Sequence, residues 1–144
     1  DVYKRQEKEE RYGLFFYLKN KDGAVLFKTN KSSGLLANMD MLPSIGWYED
    51  SNRLNSSPKF NKKKHEFLGL KWKILDQNLV HIFTHFKLNC TLAIAIINDE
   101  NELLIDLDKS IYRFVQKKNM NDLALPSLTK KILNSLKKHE ALNF

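Results

Sequence analysis

From His85 to Ile97 the chain alternates with a period of two. Phe86, Leu88, Cys90, Leu92, Ile94 and Ile96 occupy one phase, and His85, Lys87, Asn89, Thr91, Ala93 and Ala95 the other. Successive side chains of a strand point to opposite faces, so this pattern predicts a half-buried strand. The strand signal opens at Glu66 to Leu75, is interrupted by Asp76-Gln77-Asn78, resumes at Leu79 and runs to Ile97. Asn98-Asp99-Glu100-Asn101 ends it. Nearer the start, aromatic-rich Tyr12 to Leu18 reads as a strand. The turn formers Asn20-Lys21-Asp22-Gly23 and a second strand, Ala24 to Lys28, complete a hairpin.

Helical periodicity appears only late. Leu128, Ile132 and Leu136 recur every four residues beside Leu133, Pro126 suits the first turn, and Lys130, Lys131, Lys137 and Lys138 fall on the outward face. Asp108 is placed to cap a shorter helix over Ile111 to Gln116. Between the hairpin and the later strands, Thr29 to Pro58 breaks into Gly, Ser, Asn and Pro around the cluster Leu35, Leu36 and Met39, which reads as core. Asn52 to Lys64 reads as a solvated loop. Several strands with a few helices make an α+β domain. A single domain spans 11–140. Residues 1–10 are set apart as leader or linker remnant, with Asp1 to Gln6 foreign to the domain and a longer parent chain expected upstream.

Charge changes this picture. The formal net charge is +7, from 24 basic and 17 acidic residues, which raises the prospect of a polyanionic partner. Lys59, Lys62, Lys63 and Lys64 form either a phosphate-contact surface or a solvated charge run. No apolar stretch approaches the roughly 18–20 residues that cross a bilayer, so no membrane partner is expected and the protein reads as soluble and intracellular. Cys90 is the only cysteine. It excludes an internal disulfide, a multi-cysteine zinc site and a four-cysteine iron–sulfur cluster within the chain, and it reads as a buried filler. His65 and His81 have no spacing that suggests a metal site.

Three separated motifs resemble one family. Gly34-Leu35-Leu36-Ala37-Asn38-Met39-Asp40-Met41-Leu42-Pro43-Ser44 is similar to the GLLxxMWExPS segment of the C-terminal domain of adenine DNA glycosylases, and Gly46-Trp47 fits its continuation in some bacterial members. His81-Ile82-Phe83-Thr84-His85-Phe86-Lys87-Leu88 resembles the HxFSHFxL segment, and Leu125-Pro126-Ser127-Leu128-Thr129-Lys130-Lys131-Ile132-Leu133 the terminal LPTxxRKxL helix. The order and intervals match over about residues 11 to 138. Thr84 stands where the family usually has Ser. Ala37 and Asn38 replace family glycines, and Asp40-Met41 its usual Trp-Glu.

The resemblance implies a Nudix-like fold with a mixed or antiparallel sheet and flanking helices. It implies that Phe83, Thr84 and His85 meet 8-oxoguanine paired with adenine in duplex DNA; their basic charge makes Lys62, Lys63, Lys64 and Lys87 the candidate backbone contacts beside them. Catalytic carboxylates and an iron–sulfur cluster are then expected in an N-terminal catalytic domain that is the other partner, with no cofactor or catalytic residue in this chain. A monomer in the bacterial cytoplasm, associated with the nucleoid, completes that expectation.

The chemistry supports the loop. Oxidation at C8 turns the purine N7 into an N–H donor and adds a carbonyl oxygen. A hydroxyl such as Thr84 serves as donor or acceptor, and the His85 ring as either according to tautomer. Either residue can make the decisive contact. Two alternatives stand beside this reading. A Nudix pyrophosphohydrolase needs a helix bearing clustered carboxylates for magnesium, and after Gly34 the chain offers only Asp40 and then Glu49-Asp50. A protein-interaction module through Lys59 to Lys64 or the last helix is the other.

Overall fold

A computed structural model describes residues 8–31, 33–48, 67–103 and 107–140. Among them run strands β1 (Glu9–Asn20), β2 (Val25–Thr29), β3 (Asp40–Met41), β4 (Ser44–Tyr48), β5 (Lys73–Ile82), β6 (Phe86–Ile97) and β7 (Tyr112–Val115), and one helix, α1 (Ser127–Glu140). The sheet order is β3-β2-β1-β6-β5, with β4 also on β1 and β7 on β2. β1 and β6 pair in parallel along their whole length, from Glu9↔Phe86 to Asn20↔Ile97. The other pairings are antiparallel. The fold is α+β with a mixed sheet.

The run Leu14 to Leu18 is buried throughout because β1 is covered on both faces. Phe15 and Tyr17 join Leu88, Cys90 and Leu92 under Leu128, Ile132 and Leu136 of α1. Leu14, Phe16 and Leu18 join Leu26, Ala93 and Ile97 on the opposite face. There Trp72 meets Phe16 edge-on at 4.8 Å and donates its indole N–H to the Phe67 carbonyl at 2.9 Å. The expected hairpin is present, its turn closed by Gly23 at φ 83°.

Several sequence expectations are corrected. Asp76-Gln77-Asn78 does not interrupt a strand, because β5 passes through it with a bulge between Ile74 and Asn78. Its polar groups are satisfied across elements: Gln77 donates to the Ser135 hydroxyl, and Asn78 to Asn89 at 3.5 Å. The true break in the long apolar run lies at Phe83 to His85, and the segment before β5 is a 3-10 turn at Phe67–Gly69.

Ile111 to Gln116 holds strand β7, not a helix. Asp108 folds back on Ser110, accepting its N–H at 2.9 Å and its hydroxyl at 2.6 Å, and so makes a tight turn. Tyr112 and Phe114 then join one core and Val115 the other, which is period two. β3 and β4 emerge from a stretch read as irregular. Ile96 is 53% exposed and Leu35 52%, so neither takes the inward position its pattern predicts. Ile97 takes the buried place at the end of β6. The loop read over Asn52 to Lys64, with Lys59, Lys62, Lys63, Lys64 and His65, lies outside the described residues, as do Glu49 and Asp50.

Candidate functional site

Phe83, Thr84 and His85 form the connection between β5 and β6. The Phe83 N–H donates to the Phe86 carbonyl at 2.8 Å, so Thr84 and His85 are the two residues at the tip. Both are exposed, and Phe83 is half-buried. The structure therefore brings the three predicted residues together at one solvent-facing turn. The Lys8 ammonium donates to the Phe83 carbonyl at 3.0 Å and ties the residue ahead of β1 to that turn.

Beneath the tip lies a stack of aromatic rings. Phe83 and Phe86 have centroids 4.8 Å apart, and His81 meets Phe83 edge-on at 4.8 Å. Trp47 reaches both, at 5.9 Å from Phe83 and 6.2 Å from Phe86, and packs on Phe15 at 6.0 Å. The Arg11 guanidinium lies 4.2 Å above the Phe86 ring, with its Nε buried and without a hydrogen-bond partner among the described residues. Burial, and then the nearby Lys131 charge, lowers the His81 pKa and favours its neutral ring. Lys87 pairs loosely with Glu10 at 3.9 Å; both side chains are nearly half exposed, so the pair contributes little to stability. Lys62, Lys63 and Lys64 are outside the described residues.

Sequence reasoning did not single out Trp47 as part of the site. Tyr12 pairs with Tyr48 and Gly13 with Gly46, which leaves Trp47 as the extra residue of a bulge. Gly46 at φ 95° and Trp47 at φ 62° both take left-handed backbone, a costly conformation for a tryptophan. Gly13 makes room, since a Cβ there would stand 3.2 Å from Trp47 Cδ1. The available signals were a glycine in the middle of an apolar strand and the Gly46-Trp47 pair.

Trp47 is also one wall of a cleft of about 360 Å³, lined further by Lys28, Asn30, Leu36, Met41 and Ser44. Its indole N–H donates to the Ser44 hydroxyl at 3.2 Å. The rim is the loop Gly34 to Met39, in which Gly34, Leu36 and Asn38 are left-handed. Asn30 pins that loop: its side-chain amide donates to the carbonyls of Leu35 (3.2 Å) and Leu36 (3.1 Å), and its backbone carbonyl accepts from Asn38 at 2.7 Å.

Asp40, the first carboxylate after this loop, is buried and spoken for. It accepts from the Thr29 hydroxyl at 2.9 Å, the Arg113 guanidinium at 3.2 Å and the Ala124 N–H at 3.1 Å. It fastens β3 to β2, β7 and the approach to α1 and presents no oxygen to the cleft. Among the described residues no three His, Cys, Asp or Glu side chains cluster in a way that could hold a metal.

A family model for the NUDIX domain matches residues 14–135. The chain belongs to the Nudix family. Solved structures share this Nudix fold at sequence identities too low to show more than fold. The C-terminal domain of mouse MUTYH, in complex with human PCNA, superposes with a TM-score of 0.68 at 17% identity, over 94% of this chain and 91% of that one. The MutT protein of Methanosarcina mazei gives 0.60 at 15%, over 94% and 99%. The Nudix domain of Shewanella oneidensis NrtR, complexed with ADP ribose, gives 0.62 at 10%, over 99% and 92%. No curated protein matches the Nudix chain by sequence.

Proposed function

We propose that this Nudix domain reads 8-oxoguanine opposite adenine in duplex DNA and serves an adenine glycosylase. The observation that carries the proposal is the tip of the β5–β6 turn, where a hydroxyl and an imidazole project side by side into solvent from a packed aromatic base. A lesion-reading site needs polar groups held still, because an unmatched buried partner is then costly for the undamaged base. Thr84 and His85 supply the groups, and the packing of Phe83 on Phe86 and Trp47 anchors the turn that carries them. Lys87, with Lys62, Lys63 and Lys64, meets the backbone phosphates. Excision itself, with its carboxylates and iron–sulfur cluster, falls to an N-terminal catalytic domain of the same protein, working at the bacterial nucleoid. The likeness to a MUTYH domain crystallised with PCNA supports a protein partner.

Pyrophosphate hydrolysis is less well supported, since Asp40 is consumed by Thr29, Arg113 and Ala124. The test is amide-shift mapping of the chain titrated with duplexes containing 8-oxoguanine:adenine or guanine:adenine. Lesion-dependent shifts concentrated at Phe83 to Phe86 are expected. Shifts identical for the two duplexes contradict the proposal.

A further inference from the structure

A second cleft, of about 390 Å³, opens between the 3-10 turn Lys117–Asp122 and α1. It shares no lining residue with the cleft beside Trp47. Residues three apart eclipse in a 3-10 turn, so Lys117 and Met120 stand on one side of it with Asn121 adjoining. On the facing helix Lys130, Leu133, Asn134 and Lys137 fall along one stripe, three or four residues apart. The two walls thus offer the same series of cation, apolar side chain and carboxamide at the same spacing, across a floor that includes buried Tyr17.

Helix stability does not account for these cations. Lys137 lies toward the C-terminus of α1, where the dipole favours it, but Lys130 is the fourth helical residue, at the end where a positive charge is disfavoured. No acidic residue occupies that first turn. Among the described residues neither Lys130 nor Lys137 is paired with a carboxylate, and the cleft lining contains none. The volume falls within the roughly 300–1,000 Å³ of ligand-binding clefts.

We infer that this cleft docks an acidic segment of a partner protein anchored by an apolar side chain. The lysines meet its carboxylates, and Met120, Leu133 and Tyr17 receive the anchor. The amides of Asn121 and Asn134 each offer a donor and an acceptor, the complement of an extended peptide's N–H and C=O. Duplex DNA fits less well, because its phosphates lie on a convex surface with no apolar group to fill the floor.

The test uses the 144-residue chain and a fluorescein-labelled octapeptide, Asp-Glu-Glu-Leu-Phe-Asp-Asp-Glu, followed by anisotropy. Saturable binding is expected. Lys130→Glu with Lys137→Glu weakens it about tenfold or more, as does replacing the peptide's Leu-Phe by Ser-Ser. Asn134→Ala, at an exposed position, weakens it to a smaller degree, and reversal of the exposed Lys31, which belongs to neither wall of the cleft, leaves it unchanged. Thermal melting verifies that each variant is folded. Absence of binding, or equal binding by the folded Lys130→Glu/Lys137→Glu variant, overturns the inference. So does loss of duplex DNA binding, but not of peptide binding, in that variant.

Discussion

The indole of Trp47 lies 5.9 Å from the ring of Phe83, so a bulge in β4 supports the turn between β5 and β6. Those elements are remote in sequence and both border on Gly13 or its neighbours: β4 pairs with the N-terminal half of β1, and β6 runs parallel to it. Through this one ring the 360 Å³ cleft and the exposed tip share a wall.

Adding a methyl group at Gly13 tests that support. Gly13→Ala places a Cβ 3.2 Å from Trp47 Cδ1 and must displace the indole. A loss of about 1 kcal/mol in stability is expected, the low end of the overpacking range. Tryptophan emission reports it, since only Trp47 and Trp72 contribute. Unchanged emission and unchanged lesion preference would show that the ring does not position the turn.

Asp40 gives a prediction about the fold. Asp40→Ala leaves Thr29, Arg113 and the Ala124 N–H without their common acceptor. Because the Arg113 side chain is 55% exposed and regains water, the expected cost is about 2 kcal/mol, below that of a fully buried pair. Urea denaturation measures it, and Asp40→Asn, which keeps one acceptor oxygen, should lose less.

These contacts also show what was legible in the sequence. The β1–β2 hairpin and α1 were readable because their periodicity and turn residues are local: Asp22-Gly23, Pro126, and Leu128, Ile132 and Leu136. The site tip was recognisable from a motif. Its support was not, because nothing local tells that Trp47 occupies a bulge or that Arg11 lies over Phe86. Strand β7 is not legible because four residues fit helix and strand equally, and its partner, β2, is far away in sequence. Asp76 to Asn78 looked like a break because polar residues in a strand are satisfied only by neighbours that sequence does not name, here Ser135 and Asn89.

Cys90 is fully buried, and desolvation pushes its thiol up to about 12 against a smaller opposing effect of Lys131. The thiolate is the reactive form. At pH 8 a disulfide reagent should therefore label Cys90 only as fast as the core opens, and labelling should accelerate with urea along the unfolding curve. Rapid labelling of the native chain contradicts the buried placement.

His81 predicts a pH dependence. Its pKa is lowered in the fold, by burial first and Lys131 second, so the unfolded chain binds the proton more readily. The stabilisation is complete above the unfolded value of about 6.5 and is lost as pH falls through the lower folded value. His81→Gln should flatten the decline in melting temperature across that window. An undiminished decline assigns it to other groups.

The affinity ratio for two duplexes that differ only at C8 of one guanine, each opposite adenine, tests the central claim most directly. A preference for the oxidised duplex of about tenfold, the scale of one good base contact, is expected from the unaltered chain. It should collapse toward unity in a folded Thr84→Ala/His85→Ala variant. Equal affinity of the unaltered chain for both duplexes, or a preference that survives the double substitution, contradicts lesion reading at this turn.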